Sequence, residues 1–131
     1  MLKQLSIYAE NKKGALQTMT NALYEAGINI WGSVTNDGAE YGINRMVVSD
    51  PDKAKEVLTE KGYLCRFVDV LAVEIEDKPG ALNTLLTALL DSNVNVDYTY
   101  LSFNRDSSTP VMILHTADPE EVEICLRAKG F

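Results

Sequence analysis

Leu5, Ile7 and Ala9 alternate with Ser6, Tyr8 and Glu10, the period-two pattern of a strand with one buried face. The period then lengthens. Ala15, Leu16, Met19, Ala22, Leu23 and Ala26 fall on one stripe of a helix, and Gly27 suits the left-handed position just past its end. A second strand is expected over 29–35, a tight turn at Asn36-Asp37-Gly38, and a third strand over 41–49. Asp50-Pro51 reads as an N-cap followed by a first-turn proline, opening a short helix that carries Ala54, Val57 and Leu58. After Gly62 a fourth strand is expected over 64–70.

The same pattern then starts again. Leu71, Val73 and Ile75 repeat the first strand, and Ala81, Leu82, Leu85, Ala88 and Leu89 repeat the helical stripe, with Pro79 placed in its first turn and Asn93 where Gly27 stood. Residues 5–30 align with 71–96 without a gap at an offset of 66, and ten of the 26 positions are identical. Beyond a longer second hairpin the offset becomes 68. Ser49-Asp50-Pro51 then matches Ala117-Asp118-Pro119, and Lys61-Gly62 matches Lys129-Gly130. Strands are expected over 95–102 and 111–116, and Asp118 with Glu121 has the spacing of a capping box before a helix carrying Val122, Cys125 and Leu126.

The resulting order, β-α-β-β-α-β followed by β-α-β-β-α, defines an α+β protein of two tandem ferredoxin-like units: antiparallel sheets with helices on one face. The expected domains are 1–70 and 71–131, the second lacking its last strand, with no linker between them. Trp31, Ile43, Val47 and Ile113 alternate with the helix-facing positions Asn44, Met46, Val48 and Leu114. That alternation predicts a partly apolar outer sheet face and, through it, a homodimer.

Composition narrows the function. Twelve Lys and Arg against 19 Asp and Glu leave a formal charge of −7, which repels a phosphate backbone, so no nucleic-acid partner is expected despite Tyr98, Tyr100 and Phe103. No stretch approaches the roughly 20 apolar residues of a membrane span, and the N-terminus lacks a signal-peptide core. No membrane partner is expected, and the location is read as cytoplasmic. Two cysteines and one histidine are too few for a structural metal site, so no metal and no cofactor is expected, and Cys65 and Cys125 are read as core residues. His115 has no acidic or nucleophilic neighbour at a suggestive spacing, and Ser107-Ser108-Thr109 reads as a turn, so no catalytic residue is assigned.

What remains are the two strand-to-helix turns. Each places a glycine at a helix start, where the backbone is open to a ligand and free N–H groups attract an anion such as an α-carboxylate. The turns are duplicated, as are Asn29 and Asn95 at the same distance downstream.

These residues resemble the ACT domain family of small-molecule-binding regulatory modules, in particular stand-alone tandem ACT proteins of bacteria. Asp77-Lys78-Pro79-Gly80-Ala81-Leu82 with Val94-Asn95-Val96 carries the likeness, and Asn11-Lys12-Lys13-Gly14-Ala15-Leu16 with Ile28-Asn29-Ile30 is a degenerate copy. The resemblance implies a non-enzymatic regulatory sensor that binds an amino acid, usually at interfaces between ACT units. The ligand residues it implies are Asn11, Gly14, Ala15, Leu16, Asn29 and Ile30 in the first copy. In the second they are Asp77, Gly80, Ala81, Leu82, Asn95 and Val96. Backbone N–H groups of 14–16 or 80–82 would hold the carboxylate, and an Asp or Asn side chain the ammonium. The alternative is an interaction or oligomerisation module that docks on a metabolic enzyme and keeps only vestigial ligand loops.

Overall fold

A computed structural model of the chain describes residues 1–36 and 41–131. The elements are β1 (Leu2–Glu10), α1 (Ala15–Glu25), β2 (Ile30–Asn36), β3 (Tyr41–Val48), α2 (Pro51–Glu60), β4 (Leu64–Glu74), α3 (Ala81–Asp91), β5 (Tyr98–Phe103), β6 (Pro110–His115) and α4 (Pro119–Ala128). Asp37 and Gly38 of the expected turn lie outside the described residues. The chain divides into two compact units, residues 3–68 and residues 69–131 with 1–2.

In the first unit the strand order is β2-β3-β1-β4. β1 and β3 are antiparallel, with Leu5 opposite Met46 and Ile7 opposite Asn44. Alternation sends Leu5, Ile7, Met46 and Val48 to the same side, where they pack with Met19, Ala22 and Leu23 of α1 and Ala54 and Leu58 of α2. Cys65 joins this core, and burial pushes its thiol pKa up, only partly offset by Lys55. In the second unit the order is β4-β6-β5, with Leu71 opposite Leu114 and Val73 opposite Met112. Those four residues pack with Leu85, Leu89, Val122 and Leu126.

Several local expectations are corrected. β5 begins at Tyr98, so Asn95 and Val96 stand in the connection before it rather than in a strand. The strand waits because Asp97 is the first residue there to bond the neighbouring strand, through its N–H to the His115 carbonyl. Pro79 lies in the turn ahead of α3, not in its first helical turn; the helix starts after Gly80. Asp118 caps α4 without a side-chain hydrogen bond, whereas the Asp50 carboxylate accepts from the Lys53 N–H at 3.1 Å. Val47 and Ile113 are 2% and 1% exposed. The outer apolar face expected of them is therefore already covered within the chain, and of that set Trp31 is the exposed one, at 37%.

Candidate functional site

Both strand-to-helix turns have the geometry their glycines dictate. Gly14 and Gly80 stand at φ +84° and +87°, the left-handed region that an L side chain resists. Each turn closes the same way: Ala15 N–H donates to the Lys12 carbonyl (3.1 Å) and Ala81 N–H to the Lys78 carbonyl (3.2 Å). Thr18 and Thr84 anchor the helix starts, each donating both its N–H and its hydroxyl to the carbonyl of the glycine four residues earlier. Lys12 pairs with Glu10 and Lys78 with Glu76 on the loop exteriors. Closing the turn uses one of the three N–H groups expected to face a carboxylate. Among the N–H groups of 14–16 and 80–82, those of Ala15 and Ala81 are thus taken up within the turn.

A cavity of about 130 Å³ lies beneath the first loop. Asn11, Ala15 and Leu16 line it, as expected of them, together with Met19, Thr35 and Asn44. Gly14 faces a second, outer cavity of about 510 Å³ along with Tyr8, Lys13, Thr18 and Tyr63. The floor residue Asn44 is only 3% exposed. It sits in the helix-facing row of β3, opposite Ile7 of β1 and Thr35 of β2. Its Nδ2 donates to Thr35 Oγ1 at 2.7 Å, and its Oδ1 accepts from Ser33 Oγ at 3.5 Å. An amide at such depth is tolerated only when hydrogen-bonded. Thr35 and Asn44 line the cavity although the loop motif does not reveal them; the alternation already puts Asn44 on the inward side.

The second copy lacks this floor. The positions equivalent to Asn44 and Thr35 are Met112 and Leu101, again opposite each other across two strands. Ala81 lines a cavity of about 250 Å³ with Glu74, Ile75, Thr84 and Phe131; Asp77, Gly80 and Leu82 do not line it.

Asn29 and Ile30 do not join the loop of their own unit. The α1 crossover starts at the end of β1 that pairs with the beginning of β3, Glu10 opposite Tyr41. It returns the chain to the opposite end, where Ile30 pairs with Val48. There Asn29 N–H donates to Ser49 Oγ at 2.9 Å, and Ser49 N–H to the Asn29 carbonyl at 2.9 Å. Asn95 and Val96 are separated from 77–82 by the same topology. Asn95 Nδ2 donates to Asp97 Oδ1 at 3.1 Å.

His115 has a carboxylate partner that its sequence neighbours did not suggest. Its Nδ1 lies 2.8 Å from Asp97 Oδ2, and its ring stacks on Tyr98 at 4.9 Å and 4°. The contact ties β6 to the start of β5. Among the described residues no group of three or more His, Cys, Asp or Glu is placed to hold a metal ion, and no helix is long and apolar enough to cross a membrane.

Residues 1–129 match a family described as the ACT domain pair. The structure is similar to that of protein BT0572 from Bacteroides thetaiotaomicron, with 31% identity, a TM-score of 0.89, and coverage of 98% of this chain and 88% of that one. It is also similar in fold to the regulatory subunit of aspartate kinase from Thermus thermophilus in its ligand-free form (17% identity, TM-score 0.68, 98% and 91% covered). The corresponding subunit from Thermus flavus gives 19% identity and a TM-score of 0.60, with the same coverage. No curated protein matches.

Proposed function

The chain belongs to the family of ACT domain pairs, and from that premise we propose that it is a non-catalytic regulatory sensor that binds an amino acid at its first strand-to-helix loop. Its units are taken as residues 1–70 and 71–131. The observation that carries the reading is the buried Asn44 amide on the floor of a cavity roofed by Asn11, Ala15 and Leu16. The N–H of Leu16, in the first turn of α1 where the helix dipole favours negative charge, receives the ligand carboxylate, while Gly14 faces the outer cavity. Asn11 and the Glu10 carboxylate stand on the ammonium side. Asn44 and Thr35 face the ligand side chain, and about 130 Å³ suits a small one with a hydrogen-bonding group. That the solved relatives from two Thermus species are regulatory subunits by name supports the regulatory half of the reading.

Asn29 lies at the far end of its own unit, so it reaches a loop-bound ligand only from another ACT unit. The family's use of interfaces between units supports a second copy of the chain as that supplier, hence a homodimer. A thermal-shift screen of the twenty amino acids tests the function, with light scattering on any hit to read the mass. A ligand at a thousandfold excess over its Kd stabilises by about 4 kcal/mol, a shift of roughly ten degrees or more. One amino acid raising the melting temperature of the parent but not of Asn44→Met supports the proposal. Twenty silent amino acids sink it in favour of an interaction module.

A further inference from the structure

We propose that the second unit carries a separate binding site for a small protonated amine, in the cavity where the α3–β5 connection meets the start of α4. The cavity measures about 500 Å³, within the range of small-molecule sites. It lies at the end of the unit remote from residues 77–82, because that loop follows the Glu74–Val111 end of the sheet whereas the cavity follows His115.

The repeat supplies a comparison for its lining. Aligned through the two offsets, Ala26, Trp31, Val48 and Val57 of the first unit become Ser92, Asp97, Thr116 and Cys125 of the second. All four replacements exchange an apolar residue for a more polar one, and all four line this cavity. In the first unit Val48 belongs to the core, and Ala26 and Val57 pack against it. In the second, Cys125 Sγ donates to Ser92 Oγ at 3.1 Å, and Asp97 is held by His115. Thr116 continues the inward row of Met112 and Leu114 and is 2% exposed, and among the described residues its hydroxyl has no hydrogen-bond partner. Valine, its counterpart, would have the same shape and no such cost. An unpartnered hydroxyl where the duplicate unit has valine is accounted for by a ligand that supplies the partner.

The lining gives the ligand's class. Its carboxylates are Asp97, Asp118 and Glu121, and among the described residues neither Lys nor Arg lines it; Asp97 already holds Asn95 Nδ2 and His115 Nδ1, which leaves Asp118 and Glu121 to accept from a ligand. Carboxylates only accept hydrogen bonds, so the ligand must bring donors and positive charge. The acidic first turn of α4 cancels the attraction that a helix start offers an anion. Among the described residues no group of three or more His, Cys, Asp or Glu is placed to hold a metal ion, and the proposal takes the cation to be organic. Val94 and Val122 provide apolar surface for its carbon chain.

The test is a titration of the full isotope-labelled chain with 1,4-diaminobutane at constant ionic strength, followed by backbone amide NMR. Saturable shifts are expected at Thr116, Ala117, Glu121 and Val122, and none at 11–16. Thr116→Val should weaken the binding about tenfold, the loss of one hydrogen bond to a charged group. It should also melt at or above the parent temperature, and Asp97→Asn should weaken binding too. The proposal is overturned if the shifts do not saturate, if 1-butanol reproduces them, or if Thr116→Val binds as the parent does. A Thr116→Val chain that melts below the parent also overturns it, since the hydroxyl would then be partnered within the fold.

Discussion

Gly14 and Gly80 each hold a left-handed conformation in which an added Cβ meets nothing within 4 Å. The two glycines are thus required by backbone conformation and not by crowding. Alanine at either site should cost about 1–2 kcal/mol, the left-handed penalty of an L residue, and nothing for steric overlap. Urea denaturation of Gly14→Ala and Gly80→Ala measures it, with equal losses expected because φ differs by only 3° between the copies. A loss well above that range would mean that the turn tolerates no Cβ for some reason other than φ. Asn44 is the opposite kind of residue: ordinary in backbone, unusual in burial. The alternation of Ile43, Asn44, Arg45 and Met46 already puts it inward. What the alternation could not convey is that α1 and its loop leave a space above it, because that space depends on Leu16 and Met19 arriving from another element.

At the scale of elements, α2 and α4 begin alike in sequence and differently in structure. Both have Asp before Pro, but only Asp50 bonds a backbone N–H of its helix. Asp50→Ala should therefore lower stability by about 1 kcal/mol, the usual worth of a side-chain cap, while Asp118→Ala should change it by a few tenths or less. Thermal melts of the two variants decide between them; equal losses would show that Asp118 caps in solution. The same contrast explains what was legible. Caps, turns and stripes of apolar residues are local, and the predicted helices carry the residues that form the cores, Met19, Ala22 and Leu23 in one, Leu85 and Leu89 in the other. The start of β5 and the Asp97–His115 contact depend on neighbours across the sheet, and no periodicity within one strand carries that information.

For the molecule as a whole, duplication makes the two loops nearly identical, and divergence makes what lies beneath them unlike. The turn hydrogen bonds, the left-handed glycines and the threonine anchors recur in both copies. Asn44 with Thr35 in one unit stands against Met112 with Leu101 in the other. A ligand recognised by its carboxylate alone would occupy both loops. One recognised also by its side chain needs the polar floor, since Met and Leu leave a buried polar group of the ligand without a partner. The chain should therefore bind one amino acid per chain at the loops, not two, by calorimetric titration with whichever amino acid the screen returns. Asn44→Met gives the first unit the second unit's floor. It should reduce affinity at least tenfold, equivalent to about 1.4 kcal/mol or more, while the melting temperature of the free protein is largely kept. Two equivalents bound, both indifferent to Asn44→Met, would assign recognition to the loops alone and leave the buried amide a purely structural residue.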